Sequence, residues 1–166
     1  KNNIFSTGSI FANRELVRIG HVPELSRVVG RDREVRALGQ ALGPATNGGP
    51  PETTTIYGKT GTGKSLVAQC VTREAKLEAA RNDIDFQYAY VDCSDYQTDA
   101  QASREMAYSL ASSLNVDVDV PQSGLATVDY RDITWEILDE RAVESFIVIL
   151  DEIDALEDNE LLRSLS

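Results

Sequence analysis

The chain has 166 residues, with 27 acidic and 16 basic side chains and a formal net charge of −11. This length allows one domain of ordinary size. Hydrophobic residues make up 42% of the chain, enough for a packed core and too many for an intrinsically disordered protein. The longest aliphatic or aromatic run has five residues, 146–150, which excludes a transmembrane helix of about 20 residues. Residues 1–9 are polar and predict no signal peptide, so we expect a cytoplasmic protein without a membrane partner.

The basic residues are unevenly distributed between arginine and lysine. Twelve are arginine and four are lysine, and two of the lysines, Lys59 and Lys64, lie in one short loop. A domain that binds nucleic acid through its phosphates usually has a basic face, so the charge argues against this chain being a main DNA-binding surface. An acidic, lysine-poor surface is instead favoured in a salty cytoplasm, where salt screens self-repulsion.

The predicted elements alternate between helices and strands. In chain order we first expect an ordered arm over 1–26, a helix capped by Asp32 and ended by Gly43 and Pro44, a strand over 53–57 and a helix after Ser65. A strand over 86–91, a helix over 103–114 and an irregular segment over 115–126 should follow. The last predicted elements are a helix over 130–138, a strand over 146–150 buried on both faces, and a helix within 157–166. This order predicts an α/β fold with a parallel sheet between helices. Cys70 and Cys93 have no CxxC spacing and are expected to be buried thiols.

Residues 58–65 fit the pattern GxxxxGK[ST] between a predicted strand and a predicted helix, the context in which this pattern forms a phosphate-binding loop. Its glycines let successive backbone N–H groups point at phosphate oxygens, at the positive end of the following helix. Lys64 is expected to reach the β- and γ-phosphates, and the Ser65 hydroxyl to complete a Mg²⁺ shell. The predicted phosphate-side residues are Gly58, Lys59, Thr60, Gly61, Thr62, Gly63, Lys64, Ser65 and Leu66.

A second pattern is the apolar run 146–150 followed by Asp151 and Glu152. A buried strand that ends in two carboxylates places them at the carboxyl edge of the sheet, beside the phosphate loop. Asp151 is expected to orient Mg²⁺, and Glu152 to polarise the water that attacks the γ-phosphate. Asp154 is interpreted as a solvated helix-capping residue rather than as part of an acidic cluster. The predicted ligands are thus ATP or ADP with Mg²⁺, and the predicted catalytic residues are Glu152 and Lys64.

Together these patterns resemble an AAA+ ATPase, and more narrowly the archaeal origin-recognition initiators of the haloarchaeal branch. The resemblance rests on residues 10–11, 21–23, 29–32, 56–65, 90–93, 150–154 and 161–166. It implies a three-layer α/β/α fold with a parallel sheet, in which a further strand belongs between the phosphate-loop strand and strand 146–150. We therefore expect an incomplete domain over 30–166, without the C-terminal strands, helical lid and winged helix, after an arm over 1–29. The residues implied to border adenine are Val22, Pro23, Val29, Gly30 and Arg31.

The resemblance implies an ATP-binding module of a replication initiator, which hydrolyses ATP slowly when complete. Its implied partners are ATP, origin DNA bound mainly through the absent C-terminal domain, and a replication helicase or a second copy of the protein. The segment over 115–129 is either a DNA minor-groove contact or an ordinary connecting loop. No lysine or arginine lies between Arg104 and Arg131, so the segment has no basic side chain of these two kinds. Two alternative functions remain at this stage: a signalling ATPase that switches partner binding, and a truncated paralogue with only protein interactions.

Overall fold

The computed structural model describes residues 22–156 and 160–165. Most of the predicted arm, including His21, and residues 157–159 and 166 lie outside this part of the chain. The α-helices are α1 (Asp32–Leu42), α2 (Lys64–Arg81), α3 (Asp99–Ser113), α4 (Thr127–Glu140) and α5 (Glu160–Leu165), and the strands are β1 (Phe86–Asp92) and β2 (Ser145–Asp151). Short 3-10 helices cover Leu25–Arg27, Gly43–Asn47, Cys93–Asp95 and Ile153–Ala155.

The helices form where apolar spacing predicts them, with differences at their N-termini. The N-cap of α1 is Arg31, which makes no side-chain capping bond. Asp32 is therefore not the cap; it is the first helical residue, where its charge favours the positive end of the helix dipole. Helix α3 begins earlier than its apolar pattern, because Thr98 and Gln101 form a reciprocal capping box.

The two strands pair in parallel, with Phe86 opposite Ser145 and Asp92 opposite Asp151. Side chains alternate between the faces of a sheet, so each face has its own core. On one face, Phe86 and Ile147 pack with residues of α1 and α2. On the other, Ala89 and Val91 pack with residues of α3 and α5. This arrangement confirms the predicted α/β/α layers and parallel sheet.

The predicted strand over 53–57 is wrong. These residues form no strand and are all exposed, and Tyr57 is 87% accessible. β-branched residues favour an extended backbone, but a strand also needs a paired neighbour for its N–H and C=O groups. The described sheet has only the order β1-β2, so 53–57 has no pairing partner.

The burial of β2 also differs from the prediction. Only Ser145 and Ile147 of this strand are buried, and the other five residues are partly exposed. One edge of β2 pairs with β1, and within the described residues no strand covers its other edge. The apolar run is thus a strand, as predicted, without full burial on both faces.

Two further predictions for the fold agree with the structure, whereas Asp154 is not the predicted helix cap, because it lies inside the 3-10 helix Ile153–Ala155. Segment 115–126 is irregular, and both cysteines are free and buried. Helix α5 is attached to α3 through the buried Asp99, whose Oδ2 accepts the Leu161 N–H at 2.9 Å. None of the described helices is long and apolar enough to span a membrane.

Candidate functional site

The predicted phosphate loop and the predicted acidic pair lie at the same edge of the sheet. Four residues separate the end of α2 from the start of β1, and Lys76, late in α2, donates to Gln87 Oε1 at the start of β1 at 2.8 Å. The end of α2 therefore lies near the start of the sheet, and its beginning points towards the carboxyl ends of the strands. Asp151 is the last residue of β2 and shares the α2-facing side with Ile147 and Ile149.

The loop before α2 has the backbone geometry of an open anion cradle. Gly61 and Gly63 have φ angles of 76° and 82°, a left-handed conformation that is costly for residues with a Cβ. A Cβ at either position would meet no atom within 4 Å, so these glycines serve the backbone turn rather than packing. Gly63 is the N-cap of α2. Because glycine has no side chain to cap the helix, the first N–H groups of α2 remain available to a ligand.

Lys64, the first residue of α2, lies over this loop. Its Nζ donates to the carbonyl oxygens of Gly58 at 3.1 Å and Lys59 at 3.2 Å, and the Thr62 hydroxyl also donates to Lys59 O at 2.8 Å. The ammonium is thus held within the curve of the loop by neutral acceptors. Phosphate oxygens accept stronger, charge-assisted bonds than carbonyls do, so an anionic ligand can take over these contacts.

Asp151 is held by a residue that the sequence motifs do not single out. The Tyr90 hydroxyl donates to Asp151 Oδ2 at 2.8 Å, and the Glu152 N–H donates to Oδ1 at 3.1 Å. Burial, followed by the bond to Asp151, raises the pKa of Tyr90 above its ordinary range, so this hydroxyl is a donor over the whole physiological pH range. The opposing Asp92 is occupied differently, because its Oδ1 accepts both the N–H and the hydroxyl of Ser94.

Glu152 is exposed and has a left-handed backbone, with φ 49° and ψ 40°. This conformation costs a non-glycine residue about 1–2 kcal/mol. Two main-chain contacts hold it: the N–H bond to Asp151, and a bond from the Ala155 N–H to the Glu152 carbonyl at 2.9 Å. Within the described residues no hydrogen bond or ion pair joins Asp151 or Glu152 to the loop, so the structure brings the two parts to one edge without direct contact.

The residues predicted to border adenine are fastened to the same helix and loop. Arg31 donates from Nη2 to the Thr62 carbonyl at 2.6 Å and from Nη1 to Glu34 at 3.2 Å. This contact brings residues 29–31 beside the phosphate loop. Val29 there is 88% exposed, which leaves an apolar surface next to the loop.

Val22 and Pro23 are held by a second arginine that sequence patterns give no means of finding. Arg73 on α2 donates from Nη1 to the Val22 carbonyl at 2.7 Å and from Nη2 to the Pro23 carbonyl at 2.8 Å. Cys70 Sγ, one turn earlier, donates to the same Pro23 oxygen at 3.2 Å. A nearby groove of about 660 Å³ includes Arg73 in its lining but no residue of the phosphate loop.

The oxygen donors near the loop suit Mg²⁺ that arrives with a phosphate ligand. In the described part of the chain, no group of three or more His, Cys, Asp and Glu side chains could hold a metal alone. Mg²⁺ usually takes one or two protein ligands and completes its octahedron with phosphates and water. The hydroxyl of Ser65 in the first turn of α2 and the carboxylate of Asp151 fit that pattern, since Asp151 is fixed through both oxygens.

The irregular segment between α3 and α4 is tied to both helices. The Pro121 carbonyl accepts a bond from Arg104 Nε at 3.2 Å and another from the Tyr130 hydroxyl at 2.9 Å. Val120 beside it is buried. The segment therefore has fixed attachment points on the face of the sheet opposite α2.

Comparison with known proteins identifies related sequences and a related structure. The AAA ATPase domain family matches residues 27–166. ORC1-type DNA replication protein 2 of Halobacterium salinarum is 43% identical over 98% of this chain and 61% of its own length. ORC1-type DNA replication protein 9 of Haloarcula marismortui is 41% identical over 96% of this chain and 38% of its own length.

The structure of the Aeropyrum pernix ORC1 protein in complex with DNA matches with a TM-score of 0.75 and 28% identity, over 91% of this chain and 38% of that one. The chain thus spans between 38% and 61% of the length of these three proteins. The family match extends from the 3-10 turn before α1 to the C-terminal residue of the chain and includes the phosphate loop and the Asp151–Glu152 pair. The chain belongs to the AAA ATPase domain family.

Proposed function

We propose that this chain is the ATP-binding module of an ORC1-type DNA replication initiator, working in the cytoplasm at the nucleoid. The observation that carries the proposal is the loop at the start of α2, where Gly61 and Gly63 turn the backbone and Lys64 already lies over it. A helix N-terminus with such a loop binds phosphate through its N–H groups. Residues 58–66 would hold the triphosphate, with the Lys64 ammonium on the β- and γ-phosphates.

The acidic pair would prepare the hydrolysis step. Mg²⁺ bound with the nucleotide supplies positive charge for the phosphates. Asp151, oriented by Tyr90, and the Ser65 hydroxyl would hold that ion. Glu152 would accept a proton from water in line with the γ-phosphate. The left-handed backbone of Glu152 turns the chain directly after the strand-end residue Asp151. The two adjacent carboxylates can therefore serve different tasks.

The base would lie on the side of the loop where residues 22–31 are fastened. Val29 presents an apolar side chain beside the Arg31 contact with Thr62. Val22, Pro23 and Gly30 complete this adenine side. The arm over 1–29 and the nucleotide-binding unit over 30–166 would therefore share one ligand.

The initiator assignment is favoured over a signalling switch by the relatives. The curated proteins that match most of this chain carry names of ORC1-type replication proteins, and the structural neighbour was solved with DNA. DNA contact would come mainly from parts of the protein beyond this chain, since the net charge here is −11. The tied segment 115–129 would add at most a contact through main-chain groups, and a helicase or a second copy would be the protein partner.

Replacing Lys64 by alanine tests the nucleotide site. A charge-assisted bond contributes about 1.5–3 kcal/mol, so the ATP dissociation constant should rise about 10- to 100-fold. Equilibrium dialysis with ATP and Mg²⁺ measures it. Lys76→Ala on the same helix is the matched control, because that ammonium bonds Gln87 instead. Equal ATP affinity in the Lys64 variant and the control would rule out the proposed site.

A further inference from the structure

Arg73 differs from the exposed arginine at the end of the same helix in what it contacts. Arg81 pairs with the Glu78 carboxylate at 2.6 Å and is 73% exposed. Arg73 is partly buried, and its two terminal nitrogens bond the carbonyls of two consecutive residues, Val22 and Pro23. A guanidinium carries several donors in a fixed planar fork, so these paired bonds fix both the position and the orientation of that short segment.

The Val22–Pro23 segment is suited to being held through its carbonyls. Proline has no N–H, and it restricts the residue before it to an extended backbone. The carbonyl oxygens are therefore the main hydrogen-bonding groups of this segment. Three donors from α2 reach them, the two terminal nitrogens of Arg73 and the Cys70 thiol. Leu25 and Val28, just after it, pack against the core beneath α2.

Helix α2 thereby connects the two ends of the proposed ligand. Lys64 begins the helix at the phosphate loop, and Cys70 and Arg73 lie about 9 Å and about 13.5 Å further along its axis at 1.5 Å per residue. Arg31 closes the other end of the segment by its bond to the Thr62 carbonyl. Residues 22–31 are thus fastened at both ends to the element that holds the phosphates.

We propose that Arg73 is a positioning residue for base recognition: it holds the Val22–Pro23 segment against the phosphate-loop helix at the distance that a nucleoside requires. This inference rests on the proposed ATP site and extends it to a residue outside every motif. Loss of Arg73 releases the base-side segment and leaves the phosphate loop intact, because no contact of Arg73 with that loop is among its hydrogen bonds.

The test compares ligands with and without a base in the full 166-residue chain. Isothermal titration calorimetry measures the dissociation constants of ATP and of inorganic tripolyphosphate, each with Mg²⁺, for wild type, Arg73→Ala and Arg81→Ala. We expect Arg73→Ala to weaken ATP binding roughly tenfold, as for one or two lost positioning bonds, and to change tripolyphosphate binding less than about twofold. Arg81→Ala should change neither.

Arg73→Lys keeps the charge and donates as a point rather than a fork, so we expect an intermediate loss confined to ATP. It also supplies the measurement if circular dichroism shows that Arg73→Ala does not fold. Equal weakening of ATP and tripolyphosphate, or no weakening of either in a folded Arg73 variant, overturns the inference. If wild type binds ATP in a Lys64-dependent way while Arg73→Ala equals wild type, only this inference fails; if wild type binds neither ligand, the proposed function fails with it.

Discussion

Replacing Tyr90 by phenylalanine removes one atom from the candidate site, the hydroxyl that donates to Asp151 Oδ2 at 2.8 Å. A tyrosine hydroxyl is already protonated at neutral pH, and burial with the Asp151 bond raises the pKa of Tyr90 further. A hydrogen bond to a charged acceptor contributes about 1.5–3 kcal/mol in a buried setting. Both side chains here are partly exposed, so water replaces part of the loss and about 1 kcal/mol remains, roughly fivefold in an equilibrium constant.

We expect that loss in the affinity of the ATP complex for Mg²⁺ rather than in the affinity for ATP itself, because Tyr90 orients the proposed metal ligand. Electron paramagnetic resonance of Mn²⁺ titrated into the ATP complex measures it directly. Tyr88→Phe is the matched control, since Tyr88 lies on the same face of β1 but opposite Ile147 rather than beside Asp151. If Asp151→Ala weakens Mn²⁺ binding while Tyr90→Phe leaves it at the wild-type value, Tyr90 does not orient the carboxylate.

Three further predictions concern catalysis, stability and reactivity. Glu152→Gln should bind ATP with wild-type affinity and, in the full-length protein, hydrolyse it at least about a hundredfold more slowly, as expected for loss of a general base; phosphate release measures this, and near-normal turnover would remove Glu152 from the mechanism. Ala142→Gly should raise the free energy of unfolding by about 1 kcal/mol in urea titrations, because Ala142 has a φ of 51° after α4; a lower value would contradict the strain argument. Burial, with Asp92 next, raises the pKa of Cys93 to about 12, so Ellman's reagent at pH 8 should label this thiol only after unfolding, and rapid labelling of the native protein would contradict its burial.

Periodicity was sufficient to predict the elements that bury one face against a neighbour. Helices α1 to α4 and strand β1 have apolar residues at the spacing of their secondary structure, and β2 was predicted from a continuous apolar run. The strand over 53–57 failed because its propensity is local, whereas strand formation depends on pairing with residues far away in the sequence. The same reason explains the partial exposure of β2.

The candidate phosphate loop and acidic pair could be predicted because their proposed chemistry depends on short spacings in the sequence. The contacts that position them could not be found in this way. Tyr90 and Asp151 are 61 residues apart, and Arg73 and Val22 are 51 apart. Tyr90 lies near the end of a strand, within the stretch 90–93 on which the family resemblance rests. Nothing in the neighbouring sequence distinguishes Arg73 from the other arginines. A left-handed Glu152 is equally invisible, since glutamate has no preference for that conformation.

The attachments of residues 22–31 also predict an asymmetry in mutational tolerance. Arg73 and Arg31 both donate to main-chain carbonyls, which every amino acid possesses. Substitutions at Val22 or Thr62 that keep the backbone path should therefore preserve these attachments. No other side chain reproduces the two-carbonyl fork of Arg73, so every replacement at this donor position should weaken the attachment, lysine least. A saturation library across these sites would show permissive acceptor positions paired with restrictive donor positions.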